Sequence, residues 1–125
     1  MGQFTPPASP IILVVEDEPL QRMMAVDLVE TAGYEAIEAA DAADAVRILE
    51  RRPDIRLVFT DIDMPGGMDG LKLAAMIRDR WPPIELIVIS GKRKLQSSDL
   101  PARGVFFSKP YKRDELTEAI QRMMA

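Results

Sequence analysis

The residues of this chain that could do chemistry fall in four short segments: Glu16-Asp17-Glu18, Thr60-Asp61, Ser90-Gly91 and Ser108-Lys109-Pro110. Acids, a hydroxyl and an amine make a set suited to phosphoryl transfer onto a carboxylate. Asp61 reads as the nucleophile, forming an aspartyl phosphate. Carboxylates brought together repel one another, so a hard, oxygen-loving cation such as Mg²⁺ is the natural occupant between Asp17 and Asp61. It would neutralise charge on the phosphoryl oxygens and align in-line attack. Lys109 offers a fixed positive charge to the same oxygens, and Ser90 a hydrogen bond once a phosphoryl group is present. Each segment alone has a plainer reading: acids solvate loops or cap helices, and single lysines and serines are ordinary surface or structural residues. Their common position, each directly after an apolar run, carries the argument.

Those apolar runs alternate with helical periodicities. Ile11-Ile12-Leu13-Val14-Val15 is a continuous, mostly β-branched stretch, the pattern of a strand covered on both faces. Leu20, Met24 and Leu28 predict one face of a first helix that stops at Gly33. The more polar Glu35–Ala39 suits a sheet edge. Asp41 is placed to cap a second helix with Ala42, Ala45, Val46 and Leu49 inward, ended by Pro53. Leu57-Val58-Phe59 predicts a third strand entering Thr60-Asp61, followed by a turn at Met64-Pro65-Gly66-Gly67. A third helix carries Leu73, Ala74 and Ile77 and stops at Pro82-Pro83. Leu86–Ile89 and Val105–Phe107 predict the fourth and fifth strands, and the last helix places Leu116, Ala119, Ile120 and Met123 on one face. Between Gly91 and Gly104 the periodicity is weak, so any helix there is short or irregular. One methionine of each pair, Met23-Met24 and Met123-Met124, is expected in the core.

Five strands alternating with helices imply an α/β fold, a doubly wound parallel sheet with helices on both faces. Ligands of such sheets bind beyond the carboxyl ends of the strands, which is where the acids, Ser90 and Lys109 lie. The chain has 125 residues, enough for one domain, with 47% hydrophobic and 29% charged residues. Residues 1–10, with Pro6, Pro7 and Pro10, read as a flexible tail, and 11–125 as the domain. There is no histidine and no cysteine, which removes Ser–His and Cys–His nucleophile systems, disulfides and the usual zinc sites. No apolar run is long enough to span a membrane and no signal pattern opens the chain, so a cytoplasmic protein without a membrane partner is expected. The net charge of −4 argues against direct nucleic-acid binding, and Lys92-Arg93-Lys94 is too short a basic cluster to reverse that.

The segments Val14-Val15-Glu16-Asp17-Glu18, Phe59-Thr60-Asp61-Ile62-Asp63-Met64-Pro65, Met68-Asp69-Gly70, Ser90-Gly91 and Lys109-Pro110 resemble, in order and spacing, the receiver domain of bacterial two-component response regulators. The resemblance runs from residue 11 to 124. It implies a flavodoxin-like sheet of strand order 2-1-3-4-5, and phosphorylation by a histidine kinase or histidine phosphotransfer protein. It implies Asp61 as phosphoacceptor, Asp17 as direct Mg²⁺ ligand, Glu16 as its partner acid and Asp63 as donor of a backbone carbonyl to the metal. Ser90 matches the switch hydroxyl, Phe106 the switch aromatic and Lys109 the phosphate-binding lysine, with a cis Lys109–Pro110 bond. Self-catalysed phosphotransfer and autodephosphorylation are implied rather than turnover of an external substrate, with output through a downstream protein target.

Three features depart from the family's commonest pattern. Gly66-Gly67 lengthens the turn beside Asp61, Phe106 lacks a phenol hydroxyl, and the stretch from Ser90 to Lys109 is shortened where family members often dimerise or dock partners. Two other functions compete with a stand-alone phosphorylated switch. Phe59-Thr60-Asp61-Ile62-Asp63 also resembles the start of haloacid-dehalogenase-type phosphohydrolases, in which the second aspartate is general acid–base. A receiver fold could also act as a scaffold independent of phosphorylation. Having no histidine, the chain must take any phosphohistidine donor from another domain or another protein.

Overall fold

The computed structural model describes residues 10–125, and the expected tail at 1–9 lies outside them. The chain alternates β1 (Ile11–Val15), α1 (Pro19–Thr31), β2 (Glu35–Ala39), α2 (Ala42–Arg51), β3 (Ile55–Asp61), α3 (Gly70–Arg80), β4 (Glu85–Ser90), β5 (Gly104–Ser108) and α4 (Arg113–Met124). All strand pairs are parallel, in the order β2-β1-β3-β4-β5. This is the doubly wound, flavodoxin-like arrangement expected from the sequence.

Every β1 side chain is buried, because the strand has neighbours on both edges and helices over both faces. Ile11, Leu13 and Val15 point into one core, formed with α2 and α3, while Ile12 and Val14 point into the other, formed with α1 and α4. β2 and β5 are the two edges, and both are less buried than the strands between them. Asp41 caps α2 as expected, its Oδ1 accepting the Asp44 N–H at 2.8 Å. The link between β4 and β5 holds only a 3₁₀ turn at Ser97–Asp99, so the irregular segment expected there is observed.

Two expectations about helix faces are corrected. On α1 the buried row is Ala25, Leu28, Val29 and Ala32, whereas Leu20 and Met24 are 58% and 53% exposed. A strict four-residue spacing advances about 40° around a helix at each step, so Leu20 and Met24 rotate off the face that Leu28 buries. Small Ala25 occupies the contact instead. Met23, at 61%, is exposed as well, so neither methionine of that pair is core. In the second pair Met124 is buried and Met123 only partly, although the expected face had Met123.

Candidate functional site

Glu16, Asp17, Asp61, Ser90 and Lys109 all stand at or just beyond the carboxyl ends of their strands. Glu16 extends β1, its N–H bonded to the Ala39 carbonyl at 3.1 Å. The turn after it is fixed from two directions. Glu16 Oε2 accepts the Glu18 N–H at 3.1 Å, and Glu18 caps α1 by accepting from Leu20 N and Gln21 N at 3.3 and 2.8 Å. Arg22, one turn into α1, donates to the Glu16 carbonyl at 2.8 Å and to Glu38 Oε1 at 3.1 Å. The acids are thereby held at the mouth of the sheet.

Asp61 ends β3. Its Oδ1 accepts the Asp63 N–H at 2.9 Å, and its Oδ2 lies 2.5 Å from Lys109 Nζ. The same ammonium reaches Glu16 Oε1 at 3.4 Å, across 93 positions of sequence. Lys109 is brought there by β5, and its N–H is bonded to the Ser90 carbonyl at 2.9 Å. The Lys109–Pro110 bond is cis, as the resemblance implied. Glu16 and Asp61 are each only 5% exposed, so two nearly buried carboxylates share one ammonium. Burial pushes the Glu16 carboxyl up to about 7, and the adjacent Asp61 carboxylate adds to the rise. Burial works against the Lys109 ammonium, but hydrogen bonding and charge from Asp61, then Glu16, outweigh it and hold its pKa above the usual lysine value.

Ser90 is fully buried and points toward the loop after β3. Its hydroxyl donates to Asp63 Oδ2 at 2.7 Å and accepts the N–H groups of Lys92 and Arg93 at 3.2 and 3.0 Å. Arg93 then turns back, with Nε 3.8 Å from Asp63 Oδ1 and Nη2 3.3 Å from Asp69 Oδ2. One residue of the basic cluster thus serves the site's own loop. Asp69 also caps α3 by accepting the Lys72 N–H at 2.9 Å. That bond, more than Arg93, holds its carboxyl below the usual range against the opposing effect of burial. Phe106 pairs with Val88 and is half-buried. Its neighbours Val105 and Phe107 pack toward α1 and α4, so strand alternation turns Phe106 to the other sheet face, over which the β4–β5 link places no α-helix.

Asp17 is half-buried, and among the described residues its carboxylate has no hydrogen-bond partner. No three acidic side chains among those residues are grouped closely enough to cage a metal ion. Mg²⁺ does not require such a cage, since it keeps several waters and is held by one or two carboxylates together with phosphate. The all-oxygen donors, with two nearly buried carboxylates sharing one ammonium, fit a hard divalent cation.

Sequence reasoning missed four contributors. Arg22 fixes the acidic turn, Gln21 contacts Lys109 and Arg93 braces Asp63. At Gly70 a Cβ would stand 2.1 Å from the Asp61 carbonyl oxygen, so only glycine lets α3 start against the site. Gly70 alone carried a signal, lying within a matched segment. A cavity of about 390 Å³ opens beside Asp61, lined also by Glu16, Gln21, Met24, Phe59 and Lys109.

Comparison with known proteins matches the response regulator receiver domain over residues 12–121. The chain is 34% identical to the nitrogen assimilation regulatory protein NtrX of Azorhizobium caulinodans over 118 residues, 90% of this chain and 26% of that protein. It is 32% identical to the sensor kinase CckA of Brucella abortus over 93% of this chain and 13% of that protein. The chain therefore spans about a quarter or less of these two relatives. Among solved structures, the receiver domain of hybrid histidine kinase CckA aligns with a TM-score of 0.77 and 32% identity, covering 92% of this chain and 99% of that one. The response regulator TrrA of Thermotoga maritima, solved in complex with Mg²⁺-BeF, aligns with a TM-score of 0.77 and 28% identity over 90% and 97% of the two chains.

Proposed function

The chain belongs to the response regulator receiver domain family, and from that premise we propose that it is a phosphorylation-controlled switch whose phosphoacceptor is Asp61. The donor is the phosphohistidine of a histidine kinase or histidine phosphotransfer protein. A carboxylate oxygen of Asp61 attacks phosphorus as the P–N bond breaks, and the imidazole leaves with the bonding pair and takes up a proton. The observation that carries this reading is the convergence of Asp61 Oδ2 and Lys109 Nζ at 2.5 Å beside buried Glu16.

Lys109 supplies positive charge to the phosphoryl oxygens from a fixed position. Glu16, Asp17, Asp61 and the Asp63 backbone carbonyl would hold Mg²⁺, the ion present in the related TrrA complex. When bound, the ion neutralises charge on the transferring group. Ser90 can hydrogen-bond a phosphoryl oxygen only by withdrawing from Asp63, and Phe106 then has room to repack inward beside Val88, altering the surface read by a downstream protein. Autodephosphorylation resets the switch, and the reaction takes place in the cytoplasm.

The phosphohydrolase reading needs the Asp63 carboxylate as a free general acid–base, whereas that group accepts from Ser90 and faces Arg93. Incubation with acetyl phosphate and Mg²⁺ is expected to add one phosphoryl group by intact mass, and Asp61→Asn to remain unlabelled. Equal labelling of Asp61→Asn overturns the assignment. A scaffold indifferent to phosphorylation would show no rise in Tm with Mg²⁺ and beryllofluoride, whereas a ligand bound by the folded state raises it.

A further inference from the structure

The Lys109 ammonium carries three protons, and three acceptors on three different elements surround it. Asp61 Oδ2 and Gln21 Oε1 each lie 2.5 Å away, and Glu16 Oε1 lies at 3.4 Å. Two of these are carboxylates of the site. The third is a neutral amide from the first turn of α1, exposed to solvent and lining the cavity beside Asp61. Its backbone N–H donates to Glu18 Oε2 at 2.8 Å, so the cap that starts α1 also fixes where this amide emerges.

The Lys109–Asp61 ion pair cannot last through phosphorylation. The attacking oxygen commits a lone pair to phosphorus and becomes part of a mixed anhydride, a weak partner for an ammonium. The other Asp61 oxygen already accepts the Asp63 N–H. With Asp61 lost as a partner, the more distant Glu16 at 3.4 Å is the one carboxylate left to a lysine on a flexible four-carbon stem until the phosphoryl oxygens are in place. Gln21 neither gains nor loses charge in the reaction, so its hold on the ammonium is unchanged while that of Asp61 fails. We infer that Gln21 is a positioning residue, keeping the Lys109 ammonium at the phosphorylation site as Asp61 gives up its ion pair. The inference rests on Asp61 as phosphoacceptor and adds an α1 residue to the machinery.

Two variants test it: Gln21→Met, of similar length but without the acceptor, and Gln21→Glu, which restores an acceptor oxygen. Gln21 lies outside the core, so neither change removes buried packing. In the metal-free protein the Lys109 ammonium proton–nitrogen resonance is expected to be slow in solvent exchange, to be lost to fast exchange in Gln21→Met and to return in Gln21→Glu. In labelling by acetyl phosphate with Mg²⁺, Gln21→Met is expected to lower the maximal rate about three- to tenfold, the scale of one ordinary hydrogen bond, because the amide is exposed to solvent. The half-saturating donor concentration stays the same, and Gln21→Glu recovers the rate. A labelled wild type with an unchanged maximal rate in Gln21→Met overturns the inference alone. A wild type that takes no label overturns the reading of Asp61, and the inference with it.

Discussion

In the proposed site, Glu16 couples protons, metal and stability in one residue. Its folded-state pKa of about 7 lies above the ordinary 4.5, so the folded, metal-free protein holds a proton that the unfolded chain has lost. The stability this contributes is complete below about pH 4.5 and disappears as pH rises through about 7. A cation must displace that proton, so the Tm increase produced by Mg²⁺ is expected to be larger at pH 8 than at pH 5.5, as read by calorimetric melting. An equal increase at both values would show that Glu16 does not face the ion. Asp63 makes a second case. Its carboxylate holds the Ser90 hydroxyl at 2.7 Å, and under the proposed switch a phosphoryl oxygen competes for that hydroxyl. Asp63→Ala removes the competitor and keeps the backbone carbonyl, so beryllofluoride with Mg²⁺ is expected to bind about three- to tenfold more tightly by titration calorimetry.

At the scale of elements, the site depends on how closely α3 approaches the end of β3. Gly70 N–H bonds the Ile62 carbonyl at 3.1 Å, and a Cβ on residue 70 would strike backbone atoms of Asp61 and Ile62, which cannot swing aside as a side chain would. Gly70→Ala is expected to cost about 2–3 kcal/mol in urea unfolding with an unchanged m value, and to slow phosphorylation by displacing Asp61. Most elements were legible because their periodicities are strong: the apolar run of β1, the caps at Asp41 and the stops at Gly33 and Pro53 all fall where expected. The inward face of α1 departs from the expected one because its contact with the sheet is made by a small residue. Ala25, not Met24, lies against the sheet, and Met24 borders the cavity beside Asp61.

At the scale of the molecule, β1 is paired on both edges in the middle of the sheet, whereas the link between β4 and β5 holds only a 3₁₀ turn. β1 is laddered to both β2 and β3, while the stretch after Ser90 is tied back through the Ser90 hydroxyl and Arg93. Hydrogen exchange should therefore divide the chain, with the amides of Leu13 and Val58 protected at least about 10³-fold more than those of Lys94 and Leu95. Comparable protection would mean that this segment is packed as a regular element. The sequence by itself determined the α/β class, the positions of the strands and the residue types at their carboxyl ends, because strand and helix periods and turn chemistry are local properties of the chain. From those ends it located Asp61, Ser90 and Lys109 at one edge, since parallel strands with right-handed crossovers leave no other common side. Tertiary structure alone decided which atoms meet: Lys109 between Asp61, Glu16 and Gln21, Ser90 against Asp63, and Arg93 between Asp63 and Asp69. Those contacts join residues tens of positions apart, and their distances are set by strand register and by how closely α1 and α3 seat on the sheet.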